Sequence, residues 1–267
     1  MRHVLWIGGP PASGKTTVAS TLARTHGLRL YSTDTMTWSH RDRALAAGDP
    51  AAVRWEGLSP EERWDDRSPQ DLVDLSLHHV RGWMVVDDLR ALPTAPLVVA
   101  EGSVLPAWAV SSGVAHPDRA VWLLPTADLQ DRLLASRGTT GGRAVLHRYL
   151  RELVTQEAAE HGAPTLVVDG SSPVEVVTAA VEARFAEALS EGPTATDVAE
   201  RRGVVREANL AVVAQVRAGA ARLVAVGAGE HERRLFACEC GRSGCLDDVE
   251  LPVRAAAAGP VLAPGHA

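Results

Sequence analysis

The sequence predicts an α/β fold, a doubly wound parallel sheet built around a phosphate-binding loop and followed by a small C-terminal helical and cysteine-containing module. Three observations predict it. Short apolar runs alternate with helical stretches over residues 1–190. Gly9-Pro10-Pro11-Ala12-Ser13-Gly14-Lys15-Thr16 fits G-x-x-x-x-G-K-[ST] directly after the apolar run Val4-Leu5-Trp6-Ile7. Composition then changes along the chain, for all 7 tryptophans precede position 123 and all 3 cysteines lie between 238 and 245.

Residues 3–8 are apolar on both faces, as a central parallel strand requires. The loop after them must turn tightly and admit phosphates to its main chain, which Gly9, Ser13 and Gly14 are small enough to allow. Pro10 and Pro11 carry no N–H, so the donors fall on Ala12, Ser13, Gly14, Lys15, Thr16 and Thr17. A helix from about Lys15 to Thr25 adds the positive end of its dipole. Lys15 would reach the β- and γ-phosphates of a nucleotide, and the Thr16 hydroxyl would hold Mg²⁺. Lys15 is also the only lysine among 27 basic residues, a compact ammonium where a planar fork suits the space between phosphates less well.

The second strand, Leu28-Arg29-Leu30-Tyr31, delivers Asp34, which either takes or orients the proton of a substrate hydroxyl or caps the next helix. Residues 35–67 hold Trp38, Trp55 and Trp64 among charges, broken by Pro50 and Pro60 into short helical pieces; they read as a substrate-binding excursion or as aromatic core. Ser68 and Pro69 cap and open a helix predicted to run unbroken to Leu92. The third strand, Leu97-Val98-Val99-Ala100, presents Glu101, placed to hold Mg²⁺ through water, to contact substrate, or to cap a turn.

Ala120-Val121-Trp122-Leu123-Leu124 is the fourth strand, with helices over 126–137 and 143–161 on either side of a glycine-threonine turn. Arg132 and Arg137 before that turn, and Arg143 and Arg148 after it, suit a lid that closes arginines over phosphates. Thr165-Leu166-Val167-Val168 is the fifth strand, ending at Asp169-Gly170, and a helix from Pro173 to near Leu189 completes the unit. Ligands of such a sheet lie outside the carboxyl ends of its strands, so loop 9–16, Asp34, Glu101 and the Asp169 turn are expected to face one crevice.

Residues 191–194 read as a linker dividing a unit of residues 1–190 from one of residues 191–267. A helix capped by Thr196 or Asp197 is predicted to about Ala218, and Gly227-Ala228-Gly229 opens the cysteine module. There Cys-x-Cys-Gly-x-x-Gly-Cys sets Cys238, Cys240 and Cys245 in one tight loop, a structural zinc site with His266 as fourth ligand and His231 as the alternative; a redox pair or unrelated thiols is the competing reading. Val249, Leu251 and Val253 alternate as one strand would.

With 267 residues, 46% of them hydrophobic, the chain can bury one good core and a small appendage. A net charge of −6 supplies no basic field to gather nucleic acid. The N-terminal apolar run enters the phosphate loop before a secretory segment could be completed, and no later stretch is long enough to span a bilayer, so a cytoplasmic protein is expected.

Gly8-Gly9-Pro10-Pro11-Ala12-Ser13-Gly14-Lys15-Thr16-Thr17, Asp34 after the second strand, Glu101-Gly102 after the third, and Arg132 with Arg137 before a lid together resemble the small P-loop kinases. That group of P-loop NTPases includes nucleoside, shikimate and gluconate kinases, chloramphenicol phosphotransferase and the kinase domain of polynucleotide kinases. The resemblance covers about residues 1–190 and implies ATP as donor, a hydroxyl or phosphate acceptor, and a five-stranded sheet in the order 2-3-1-4-5. Polynucleotide kinases tend to have Arg three residues after the Asp, where this chain has Thr37. The tail, from Phe236-Ala237-Cys238 to Ala263-Pro264-Gly265-His266, resembles a small C-terminal module of uncharacterised actinobacterial proteins.

The expectation is an ATP-dependent phosphotransferase acting on a small hydroxylated molecule, with Lys15 and Thr16 serving Mg·ATP, Asp34 as candidate base, and Arg132 and Arg137 stabilising the transferred charge. Its rival is an ATPase or switch whose hydrolysis moves the C-terminal module. The two differ on whether residues 35–92 close an acceptor pocket beside the γ-phosphate.

Overall fold

The computed structural model describes every residue except 115 and 223–227, so Gly227 at the predicted opening of the C-terminal module lies outside the described residues. Five parallel strands make the main sheet: β1 (Val4–Gly8), β2 (Arg29–Ser32), β3 (Val98–Gly102), β4 (Ala120–Pro125) and β5 (Thr165–Val168). Their spatial order, β2-β3-β1-β4-β5, is the expected one. The register aligns the strands' carboxyl ends, with Ile7 opposite Glu101 and Ser32 on its other side.

Helix α1 (Lys15–His26) stops where Gly27 turns left-handed and Leu28 N–H bonds back to Ala23 O at 2.8 Å. After β2 a 3₁₀ turn (Thr33–Met36) leads into α2 (Thr37–Ala46). Asp49 then caps α3 (Pro50–Glu56) by accepting from Ala52 N at 2.9 Å. Ser68 caps α4 (Pro69–Leu75) as predicted, accepting from Asp71 N at 3.1 Å. The helix does not run on to Leu92. Residues 76–80 interrupt it, with Leu77 at φ 63°, and it resumes as α5 (Arg81–Ala91). The left-handed turn lets Leu77 bury against Ala44 and Ala52, and it re-aims Ser76, His78 and Arg81 toward the crevice.

Beyond β3 lies α6 (Pro106–Ser111), a short helix the sequence reading leaves out, then α7 (Ala127–Ser136) and α8 (Gly141–Glu160). The last predicted helix of this part is two, α9 (Val174–Arg184) and α10 (Ala186–Glu191), hinged at the fully buried Phe185.

Strand alternation splits the core between the two faces of the sheet. Trp6, Trp122 and Val98 face one side with Val85, Val86 and Leu89 of α5 and Val154 of α8. Leu5, Ile7, Val99 and Leu123 face the other with Val18 and Leu22 of α1, Val181 and Phe185. Each such side chain contributes roughly 1.5–3 kcal/mol by leaving water.

The chain continues as α11 (Val198–Arg222), α12 (Ala228–His231), the antiparallel pair β6 (Arg233–Ala237) and β7 (Asp248–Pro252), and α13 (Val253–Ala258). Val253 opens that helix instead of extending the predicted strand. Phe236, Val253, Ala256 and Val261 pack on Val213 of α11. Buried Asn209 bridges α11 to the hairpin, donating to Ala237 O at 2.9 Å and accepting from Ala237 N at 3.0 Å. Helix α11 also lies on β2, the 3₁₀ turn and α2. Polar ties join these parts: Arg29 Nε donates to Glu207 at 2.7 Å, Arg24 Nη1 to Asp248 at 2.7 Å, and Arg222 pairs with Asp42.

Candidate functional site

A cavity of about 590 Å³ opens at the carboxyl ends of β1, β2 and β3. One wall is the phosphate loop. Gly14, at φ 83°, hands the chain into α1, and Ala12 sits at φ 67°, a left-handed conformation that a residue with a side chain adopts at some cost. First-turn amides of α1 have no intrahelical acceptor and are available to an anion. Lys15 is only 5% exposed, and its Nζ lies 4.0 Å from Glu101 Oε2.

Glu101 is completely buried at the end of β3. Ser32 Oγ donates to its Oε1, while its Oε2 has no hydrogen-bond partner. Burial raises its carboxyl above the ordinary value; the charge on Lys15 opposes that shift and the charge on Asp34 adds to it. A buried carboxylate oxygen left open beside the Thr16 hydroxyl is a hard-oxygen donor set of the kind Mg²⁺ takes, so these residues fit that ion. The buried Ser13 hydroxyl, also without a partner, fits a phosphate at the same loop.

Asp34 stands exposed in the 3₁₀ turn and lines the cavity. It is not a cap: neither the 3₁₀ turn nor α2 has a side-chain capping bond. Around it the broken α4–α5 segment places Arg81 and His78, neither singled out by the sequence reading. Arg81 is fixed from behind. Its Nε donates to His40 Nδ1 at 3.2 Å and its Nη2 to Thr33 O and to Thr37 Oγ1, the latter at 2.8 Å. His40 Nε2 donates in turn to Asp88 at 2.7 Å, and Asp88 also accepts from Tyr31 at 2.7 Å and Arg43 at 2.7 Å. Burial keeps His40 neutral by lowering its pKa, which leaves Nδ1 free to accept.

The third wall comes from the α7–α8 turn. Arg137 and Arg143 line the cavity there, as does His147, whose buried Nδ1 has no partner. Arg132 does not reach this lining and sits by the Gly170 turn, and Arg148 pairs outward with Asp131 at 2.7 Å. Gln130, fully buried, donates to Pro11 O at 3.1 Å and to His147 O at 3.0 Å, so one amide ties the phosphate loop to both helices. Asp169, the other strand-end acid, is exposed and accepts from the Ser171 amide and hydroxyl, a turn-making role away from the cavity.

Trp38, Trp55 and Trp64 form the remaining wall. The segment carrying Trp64 lies so close to α8 that a Cβ on Gly142 would meet Trp64 O at 1.9 Å. Residues 35–92 and the arginine turn therefore enclose the space in front of Lys15 between them. A local motif revealed the loop. The cations and imidazoles opposite it have no fixed spacing and come together only through the fold.

A second cluster lies in the tail. Ligand atoms of Cys238, Cys240, Cys245 and His266 all lie within 4.8 Å of one another. His266 Nδ1 is 3.3 Å from Cys238 Sγ and 3.7 Å from Cys245 Sγ, and its Nε2 lies 3.4 Å from Asp247, which orients the ring. Gly241 and Gly244, both at φ 71°, supply the turns between the cysteines. His231, the alternative ligand, is exposed on α12 and outside this group. The donor set could hold a metal ion, and three thiols with one imidazole fit zinc.

No family model matches the chain, and no curated protein does. Among solved structures, a gluconokinase from Sinorhizobium meliloti 1021 is similar to it, 17% identical, with the match covering 70% of this chain and 93% of that one at a TM-score of 0.43. No helix among the described residues is long and apolar enough to cross a membrane.

Proposed function

We propose that the protein is an ATP-dependent phosphotransferase acting on a small hydroxylated acceptor. The observation that carries this is the enclosure of Asp34 and Lys15 in one cavity, walled on the acceptor side by residues 35–92. Lys15 and the first-turn amides of α1 hold the β- and γ-phosphates, and Thr16 and Glu101 hold Mg²⁺, which neutralises charge on the phosphates when bound. Asp34 orients the acceptor hydroxyl and takes its proton as the new O–P bond forms and the bond to the ADP oxygen breaks; Arg137 and Arg143 hold the charge on the moving phosphoryl. Arg132, by the Gly170 turn and outside the cavity lining, is given no part in this step. Zinc in the Cys₃His cluster is structural and staples the tail.

The test is ADP release in the presence of hydroxylated metabolites, nucleosides and antibiotics. Mg·ATP at a hundred times its Kd stabilises the wild-type protein by about 2.7 kcal/mol, and Lys15→Ala loses most of that gain. Asp34→Asn keeps Mg·ATP binding and loses roughly 10²–10⁴ in acceptor turnover. Unchanged turnover removes Asp34 from the chemistry.

The packing of α11 on the 3₁₀ turn that carries Asp34 favours a second reading, an ATPase coupled to the tail. It requires ADP release without any acceptor.

A further inference from the structure

Arg41 is a buried cation that the protein satisfies only in part. It is 5% exposed, its Nη2 donates to Leu75 O at 2.8 Å, and its Nε and Nη1 have no partner at all. A buried cation with open donors costs several kcal/mol unless something pairs with it. Its guanidinium lies 4.0 Å from the Trp55 ring centroid and that of Arg63 lies 3.5 Å from it. Two guanidiniums so close to one centroid cannot share a face, so Trp55 is sandwiched and both cations are held rigidly.

Among the described residues neither Arg41 nor Arg63 is paired with a carboxylate, in a chain whose 33 acids outnumber its 27 bases. Glu56, the acid acting most on Arg41, already faces Arg222 at 3.7 Å. Charges in the cavity fall into two groups. Lys15, Arg137 and Arg143 act together on His147, while of the other lining cations Arg63 and Arg81 act on Arg41. One group suits the phosphates of ATP; in the other, Arg41 and Arg63 have no carboxylate partner among the described residues.

We propose that the tryptophan wall is an anion subsite, in which Arg41 with Arg63 receives a carboxylate or phosphate group carried by the acceptor, whose hydroxyl then lies toward Asp34. This rests on the phosphotransferase reading. It narrows the acceptor to a hydroxylated anion and excludes neutral polyols and nucleosides as the preferred substrate.

The experiment uses the full chain with its phosphate loop filled by Mg·ADP, so that an anionic probe cannot bind there. Three probe sets of similar size are titrated calorimetrically: uncharged polyols and nucleosides, aldonates, and nucleoside or sugar monophosphates. One anionic set binds, and which one it is separates carboxylate from phosphate. Arg41→Leu weakens that binding about 10- to 100-fold, the loss of one hydrogen-bonded charged contact, and leaves Mg·ADP affinity unchanged. Arg41→Lys recovers part of it, and Arg63→Ala weakens it in the same direction. Free Arg41→Leu melts no lower than wild type, because an unpaired buried charge has been removed. Mg·ADP binding with no second site selective for anions overturns the proposal alone, as does a destabilised Arg41→Leu that binds the probe as wild type does. Failure of Mg·ADP to bind overturns the phosphotransferase reading and the acceptor subsite with it.

Discussion

Two imidazoles, His78 and His147, share the cavity with Asp34 and are both held neutral. Burial pushes His78 down to about 3, with Arg81 adding to the shift, and pushes His147 down to about 4, with Lys15 adding. Neither ring therefore competes with the acceptor or the nucleotide for an anion at neutral pH. The same shifts set an acid limb in stability. An unfolded histidine takes up its proton near pH 6.5, before either folded ring does, so stability present above that pH is lost as pH falls through the folded values. For His147 the loss at pH 5 is about 2 kcal/mol relative to pH 7.5. Urea unfolding at the two pH values should show His147→Gln losing less stability on acidification than wild type; equal losses would mean that the ring is solvated. Residues of this kind are where sequence reasoning reaches least far. The loop carrying Lys15 and Thr16 was legible because its pattern is written in eight consecutive positions, whereas Arg41, the His78–Arg81 break and His147 converge from three separate segments.

At the scale of elements, the five strands of the main sheet were legible, since each is a short apolar run bounded by turn residues. The helices were legible in kind and less so in extent. Residues 69–92 carry an uninterrupted apolar pattern, and nothing local marks the left-handed Leu77 that breaks it; the break is favoured by burial of that side chain among Ala44 and Ala52. The hairpin is the reverse case, for its spacing of cysteines and glycines was clear while β6, with only Phe236 fully buried, carried little periodic signal. With β6 and β7 enclosing a small core, the metal should contribute folding free energy outright. Elemental analysis should find about one zinc per chain, and chelation should open the chain to proteolysis beyond Gly192. Metal-free protein with an equally resistant tail would assign the cysteines another role.

For the whole molecule, the order of the five strands places the phosphate loop, Asp34 and Glu101 on one rim, so the site follows from topology once the strands are in place. What topology leaves open is the excursion from 35 to 92, whose aromatic and charged residues wall the cavity and also receive α11 at Trp38, whose backbone N–H donates to Gln215 Oε1 at 3.3 Å. The uniqueness of Lys15 has a consequence of another kind. A lysine-specific endoprotease has a single peptide bond to cut in this chain, Lys15–Thr16, giving pieces of 15 and 252 residues (267 − 15). That bond lies in the first turn of α1 beside a buried side chain, so the native protein should resist, and each cut would count one excursion to an open state. Mg·ATP at a hundred times its Kd should slow cutting about a hundredfold, read as the intact mass giving way to one pair of fragments. A rate indifferent to nucleotide would mean that the loop opens without releasing it.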